Sequence, residues 1–139
     1  MPIVSPEDRL AIEALVTEYA WILDHRHWDE VPGLCTEDVE LEIRRRKIHG
    51  RDGVAEWADA RATKGRRRTQ HQMTLLRLEQ VEPDVVRGTV ALVLHVAKSG
   101  GAGGSGTYID LVGEYEDEYV RTPGGWKFRR RKLVPIDEG

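Results

Sequence analysis

Val85-Val-Arg-Gly-Thr-Val-Ala-Leu-Val-Leu-His-Val-Ala-Lys98 is rich in β-branched residues and almost continuously apolar from Val90 to Val96. A run of that kind reads as a strand buried on both faces. Outward from it, the second half of the chain keeps the same character. Strands are expected at 67–80, 85–98, 107–121 and 126–134, parted by Glu82-Pro83-Asp84, by the glycine-rich stretch Ser99 to Gly106, and by Thr122 to Gly125.

The first half is helical in pattern. Ser5 is placed to cap a helix, with Pro6 at its first position and Asp8 three residues after the cap. Leu10, Ile12, Leu15, Val16, Tyr19, Ala20, Ile22 and Leu23 then recur at helical spacing to about Arg26. Trp28 to Cys35 reads as a short second helix, limited by Pro32 and Gly33. Val39 to Arg45 alternates as a half-buried strand; Gly50 to Gly53 is a turn, and a third helix carries Val54, Ala55, Trp57, Ala58 and Ala60 up to the Lys64-Gly65 break.

Helices followed by long antiparallel strands predict an α+β domain, with the helices on one face of a curved sheet. The helices can cover only one face of strand 85–98. The stripe Val90, Leu92, Leu94 and Val96 is therefore expected to meet a second copy of the chain, giving a homodimer.

The chain has 139 residues, which suits a single domain over 1–139, and it is 40% hydrophobic and 32% charged with a formal net charge of −3. That near balance argues against a dedicated nucleic-acid binder. No apolar stretch is long enough to span a bilayer, and the N-terminus lacks a signal-peptide pattern, so no membrane partner and a cytoplasmic location are expected. Cys35 is the one cysteine, which excludes an internal disulfide and a multi-cysteine zinc site. Basic runs stand at Arg44 to Lys47, Arg66 to Arg68 and Arg129 to Lys132; the acids Glu114, Glu116, Asp117 and Glu118 lie on a strand expected beside the last of them, so cross-strand ion pairs are the favoured explanation.

Polar residues that interrupt apolar faces are candidates for chemistry. Asp24 closes the first helix beside its apolar stripe, where the helix dipole opposes its charge. His71 and His95 lie on two long strands, and strand parity is read as sending both to one concave face with Met73 and Val93. A carboxylate that orients an imidazole sets its tautomer, and the imidazole can then move a proton near neutral pH. Tyr19 and Tyr115 add hydroxyl donors, Trp21 and Trp57 suit the wall of an apolar pocket, and Arg130 shares a face with Trp126 and Phe128, where it could hold an anionic or carbonyl group. His25-Arg26-His27 has no third ligand at metal spacing, and the glycine-rich loop lacks a following Lys-Ser/Thr pair. Neither a metal nor an organic cofactor is expected.

The order of these elements, with Tyr19-Ala-Trp-Ile-Leu-Asp24, Trp28-Asp29, Ile48-His-Gly-Arg-Asp-Gly-Val54, Thr69-Gln-His71, Gly113-Glu-Tyr-Glu-Asp117 and Gly125-Trp-Lys-Phe128, resembles the SnoaL-like branch of the nuclear transport factor 2 superfamily from about residue 6 to 135. The resemblance implies a cone-shaped, strongly curved antiparallel sheet around an apolar cavity, closed by the N-terminal helices and dimerising through its outer face. Scytalone dehydratase is similar in an aspartate late in the first helix and two strand histidines, matched by Asp24, His71 and His95. Bile-acid dehydratases are similar in a tyrosine matched by Tyr19 and a strand histidine matched by His71. Two departures stand out. Leu75 occupies a position where many relatives carry asparagine, and Glu42 to Arg46 lacks the tyrosine that scytalone dehydratase has there.

The combined expectation is a cofactor-independent acid–base enzyme, a dehydratase acting on a small, largely apolar carbonyl compound that is free or carrier-bound. Its catalytic set would be Asp24, His71, His95 and Tyr19, with Trp21, Trp57, Met73, Val93, Tyr115 and Arg130 around the substrate. The same residues would also suit a polyketide cyclase or an isomerase. A non-catalytic binding or dimerisation module remains the alternative of a different class.

Overall fold

A computed structural model describes residues 3–64, 67–98 and 106–138. Helix α1 (Pro6–Asp24) begins where Ser5 accepts the Asp8 backbone N–H at 3.1 Å and buries Ile12, Leu15, Val16, Tyr19, Ala20, Ile22 and Leu23. A 3₁₀-helix (Trp28–Leu34) leads into β1 (Cys35–Ile43) and β2 (Arg46–His49), then α2 (Gly50–Lys64). Four long strands follow: β3 (Thr69–Glu82), β4 (Val85–Ala97), β5 (Thr107–Thr122) and β6 (Gly125–Pro135). The expected elements are present with shifted ends. Strand β2 is the exception, since Arg44 and Arg45 form its hairpin turn at φ 50° and 67° without the usual Asn or Gly signal. The glycine-rich loop (99–105) and Arg66 lie outside the described residues.

Among the described residues the six strands form one sheet in the order β2-β1-β6-β5-β4-β3. The fold is α+β, with α1 packed on β3 and α2 on β1. The sheet is mixed, because β1 runs parallel to β6 while the other pairs are antiparallel. Bulges interrupt β3 between Thr74 and Arg77, β5 at Asp110 opposite Leu94 and His95, and β6 at Arg129 opposite Glu118 and Tyr119. Each bends its strand and changes which residues face inward.

The inner face holds Val86, Val90 and Leu92 of β4, Tyr115 and Tyr119 of β5, and Phe128 and Leu133 of β6, packed against the helices. This corrects the expected dimer stripe. Val90, Leu92 and Val96 are buried within the chain itself, so they offer no free apolar surface to a second copy. The odd-numbered Ala91 and Val93 face outward and are half-buried. Among the described residues no helix is long and apolar enough to cross a membrane.

Candidate active site

Asp24 is the last residue of α1, and the close packing of α1 on β3 brings its carboxylate to the start of that strand. Its Oδ1 lies 2.6 Å from Nδ1 of His71. The same carboxylate accepts the His71 backbone N–H at 2.9 and 3.1 Å and the Thr69 hydroxyl at 2.9 Å. Four contacts from three donor groups offset the poor placement of an acid at a helix C-terminus. The two side chains are only 10% (His71) and 13% (Asp24) exposed. Because a carboxylate only accepts, Nδ1 carries a proton, and in the neutral ring Nε2 is left with the free lone pair.

His71 opens onto a cavity of about 240 Å³ between the helices and the sheet. Tyr19, Trp28, Trp57, Leu92, Leu94 and Tyr115 form much of its wall. Its polar members include Thr69, Arg44, Arg61, Tyr108 and Asp110. Burial pushes the Tyr115 phenol up to about 12 against a partial counter-effect of Arg131, and raises Tyr19 as well. Both hydroxyls therefore stay protonated across the neutral range. The Tyr19 hydroxyl is buried with no hydrogen-bond partner among the described residues.

The structure gathers His71, Tyr19, Trp57 and Tyr115 in the wall of this cavity, sets Asp24 behind the His71 ring, and places the other expected residues elsewhere. His71 pairs with Leu94 and His95 with Gln70, so the two histidines lie on opposite faces of the sheet. His95 Nε2 sits 3.0 Å from the Gln72 side-chain oxygen on the outer face. Val93, paired with Gln72 and Val112, shares that outer face. Met73 points inward and packs on the core, away from the cavity wall. Trp21 is 45% exposed and stacks on His25 at 4.2 Å between ring centroids.

Arg130 pairs with Glu40 and Glu118 on the outer face, and its neighbour Arg131 is the inward arginine. The β6 bulge inserts one extra residue between Phe128 and Arg131, which reverses the parity expected from Trp126 and Phe128. Arg131 is fully buried, with Nε 2.8 Å from Asp117 Oδ1 and one terminal nitrogen 3.1 Å from Oδ2. Tyr119 donates to the same carboxylate at 2.6 Å. The guanidinium carbon lies 3.7 Å from the Tyr115 ring centroid and 4.4 Å from those of Tyr19 and Phe128. Burial opposes this charge, but Asp117 more than compensates and holds the guanidinium protonated. Sequence reasoning missed Arg131, although the acid opposite it in Asp117 was the available signal.

Solved structures share this architecture. Rv3472 of Mycobacterium tuberculosis, described as a protein of unknown function and solved as an Asp-to-Asn variant, is 31% identical with a TM-score of 0.82, covering 94% of this chain and 77% of that one. LinA is 26% identical with a TM-score of 0.76, covering 94% and 90%. A candidate scytalone dehydratase from Novosphingobium aromaticivorans is 24% identical with a TM-score of 0.80 over 95% and 89%, a likeness of fold alone. No curated protein matches the chain significantly by sequence. With its residues 5–132 matching the SnoaL-like domain, the chain belongs to the SnoaL-like domain family.

Proposed function

We propose that this chain is an acid–base enzyme that eliminates water from a small, largely apolar carbonyl compound. The observation that carries the reading is the 2.6 Å contact between Asp24 and the His71 ring in the wall of a cavity. Asp24 holds the Nδ1 proton and leaves Nε2 as the base. Nε2 takes a proton from the carbon next to the substrate carbonyl, and the electron pair moves onto the carbonyl oxygen as an enolate. The imidazolium that forms is stabilised by the adjacent carboxylate.

The Tyr19 and Tyr115 phenols, kept protonated by burial, are the available donors to the enolate oxygen. The unpartnered Tyr19 hydroxyl supports this role, since a buried donor gains most from an acceptor that arrives with the substrate. Collapse of the enolate expels the β-hydroxyl group, which takes the proton back from Nε2 and leaves as water. The histidine ends neutral, and the substrate has lost one proton and one hydroxide.

The test uses a panel of small aryl β-hydroxyketones, whose elimination gives conjugated enones followed by ultraviolet absorbance. Enone formation that His71→Ala abolishes is the expected result. A rate that His71→Ala leaves unchanged would overturn the assignment.

A further inference from the structure

The cavity carries an excess of guanidinium over carboxylate on a chain whose net charge is −3. Arg44 and Arg61 both line the cavity, and Arg67 donates to the hydroxyl of Tyr108, another lining residue, at 2.8 Å. Two guanidiniums, Arg44 and Arg61, and one carboxylate, Asp110, stand among the described lining residues; Arg67 behind Tyr108 and Asp24 behind His71 add one charge of each sign.

Two of these arginines have ordinary structural explanations that fall short. Arg61 sits in the last turn of α2, which suits a cation, with its guanidinium carbon 5.4 Å from the Trp28 ring centroid. None of its side-chain N–H groups has a hydrogen-bond partner among the described residues. It has no carboxylate partner among the described residues. Arg44 bridges to Asp110, yet both side chains stay partly exposed (51% and 36%). Its place in the turn also requires an uncommon left-handed backbone, φ 50°. Asp110 shows what this rim accepts: a carboxylate held by a guanidinium.

We infer that the substrate carries a carboxylate at the end that remains in the mouth, held between Arg44 and Arg61 while its carbonyl end reaches His71. The inference rests on the cavity being the substrate site, as proposed above. Two guanidinium forks suit a planar carboxylate, and a local positive potential draws an anion to a chain that would otherwise repel it. Partial exposure limits each pair to a modest gain, so the effect is one of selection and steering more than of tight binding.

Binding of naphthoate and of neutral naphthamide, followed by quenching of Trp28 and Trp57 in the cavity wall, tests the idea on the intact chain. Wild type should prefer naphthoate by about tenfold at low salt, a preference that shrinks as ionic strength rises. Arg44→Gln and Arg61→Gln should each lower it about threefold, and the double variant should bind both ligands alike. Unchanged circular dichroism and melting temperature in the variants show that the fold is intact. Equal binding of the two ligands to wild type, or a preference that survives in the double variant, overturns the carboxylate inference and leaves the cavity assignment standing. Failure of both ligands to bind wild type overturns both.

Discussion

Asp24 holds His71 by two routes, through the backbone N–H at 2.9 Å and through ring Nδ1 at 2.6 Å. The first contact fixes the start of β3 against the end of α1. The second sets the tautomer of the ring. On the proposed reading one carboxylate serves the fold and the chemistry together, and its loss should show in both.

Asp24→Asn keeps the shape but replaces one acceptor oxygen by a donor. Turnover in the elimination assay should fall by about 10²–10⁴, as for His71→Ala, and the double variant should be little worse than either. Stability should also drop by about 1–3 kcal/mol in urea unfolding, because the buried His71 and Thr69 donors lose a matched acceptor. Additive losses of activity would show that the two residues do not act as a unit.

The buried Arg131–Asp117 pair predicts a second, non-catalytic sensitivity. Arg131→Met leaves the Asp117 carboxylate and Asp117→Leu leaves the guanidinium without its counter-charge at a site with no exposed side-chain surface. Each should cost about 3–5 kcal/mol, and the double replacement should cost less than either alone. Urea unfolding checks this. A loss below about 1 kcal/mol in both single variants contradicts it.

Leu75 sits in the β3 bulge at φ 56° and is 83% exposed, a backbone conformation costly for leucine with no burial to offset it. Asparagine tolerates this conformation. Leu75→Asn should therefore raise stability by about 0.5–1 kcal/mol, seen as a higher urea midpoint at unchanged slope. An unchanged or lower midpoint would count against the strain argument.

Those bulges also explain what could and could not be read from the sequence. Asp24 and His71 were legible because a helix end and a strand start each show their face through a clear apolar period. His95 was not, because Val90 to Val96 is apolar at nearly every position and carries no alternation, and a one-residue change of register moves a side chain to the other face. Arg130 and Arg131 changed places through a single extra residue in β6, a local irregularity that composition does not mark. The α+β class survived these errors, since it depends on which segments are helix and which are strand.

Alkaline pH should destabilise the fold. Burial lifts the Cys35 thiol from 9.0 and the Tyr115 phenol from 10.0 to about 12 each, and it raises Tyr19 and Tyr119 in the same direction. Groups with raised folded values favour the native state fully below their unfolded values, and that stability is lost as pH rises through the folded ones. The melting temperature should thus hold to about pH 9 and fall steadily towards about pH 12, with phenolate absorbance growing as the chain unfolds. A flat melting temperature across that window would contradict the burial argument.

Proton removal beside a carbonyl can be measured without knowing the natural substrate. In deuterium oxide, wild type should speed the loss of the α-proton signals of small aryl ketones such as indanone, read by proton NMR against buffer alone. His71→Ala and Asp24→Asn should reduce that exchange to the buffer rate. Exchange that is undiminished in His71→Ala, or absent in wild type across the ketone panel, would contradict the assignment of His71 as the base.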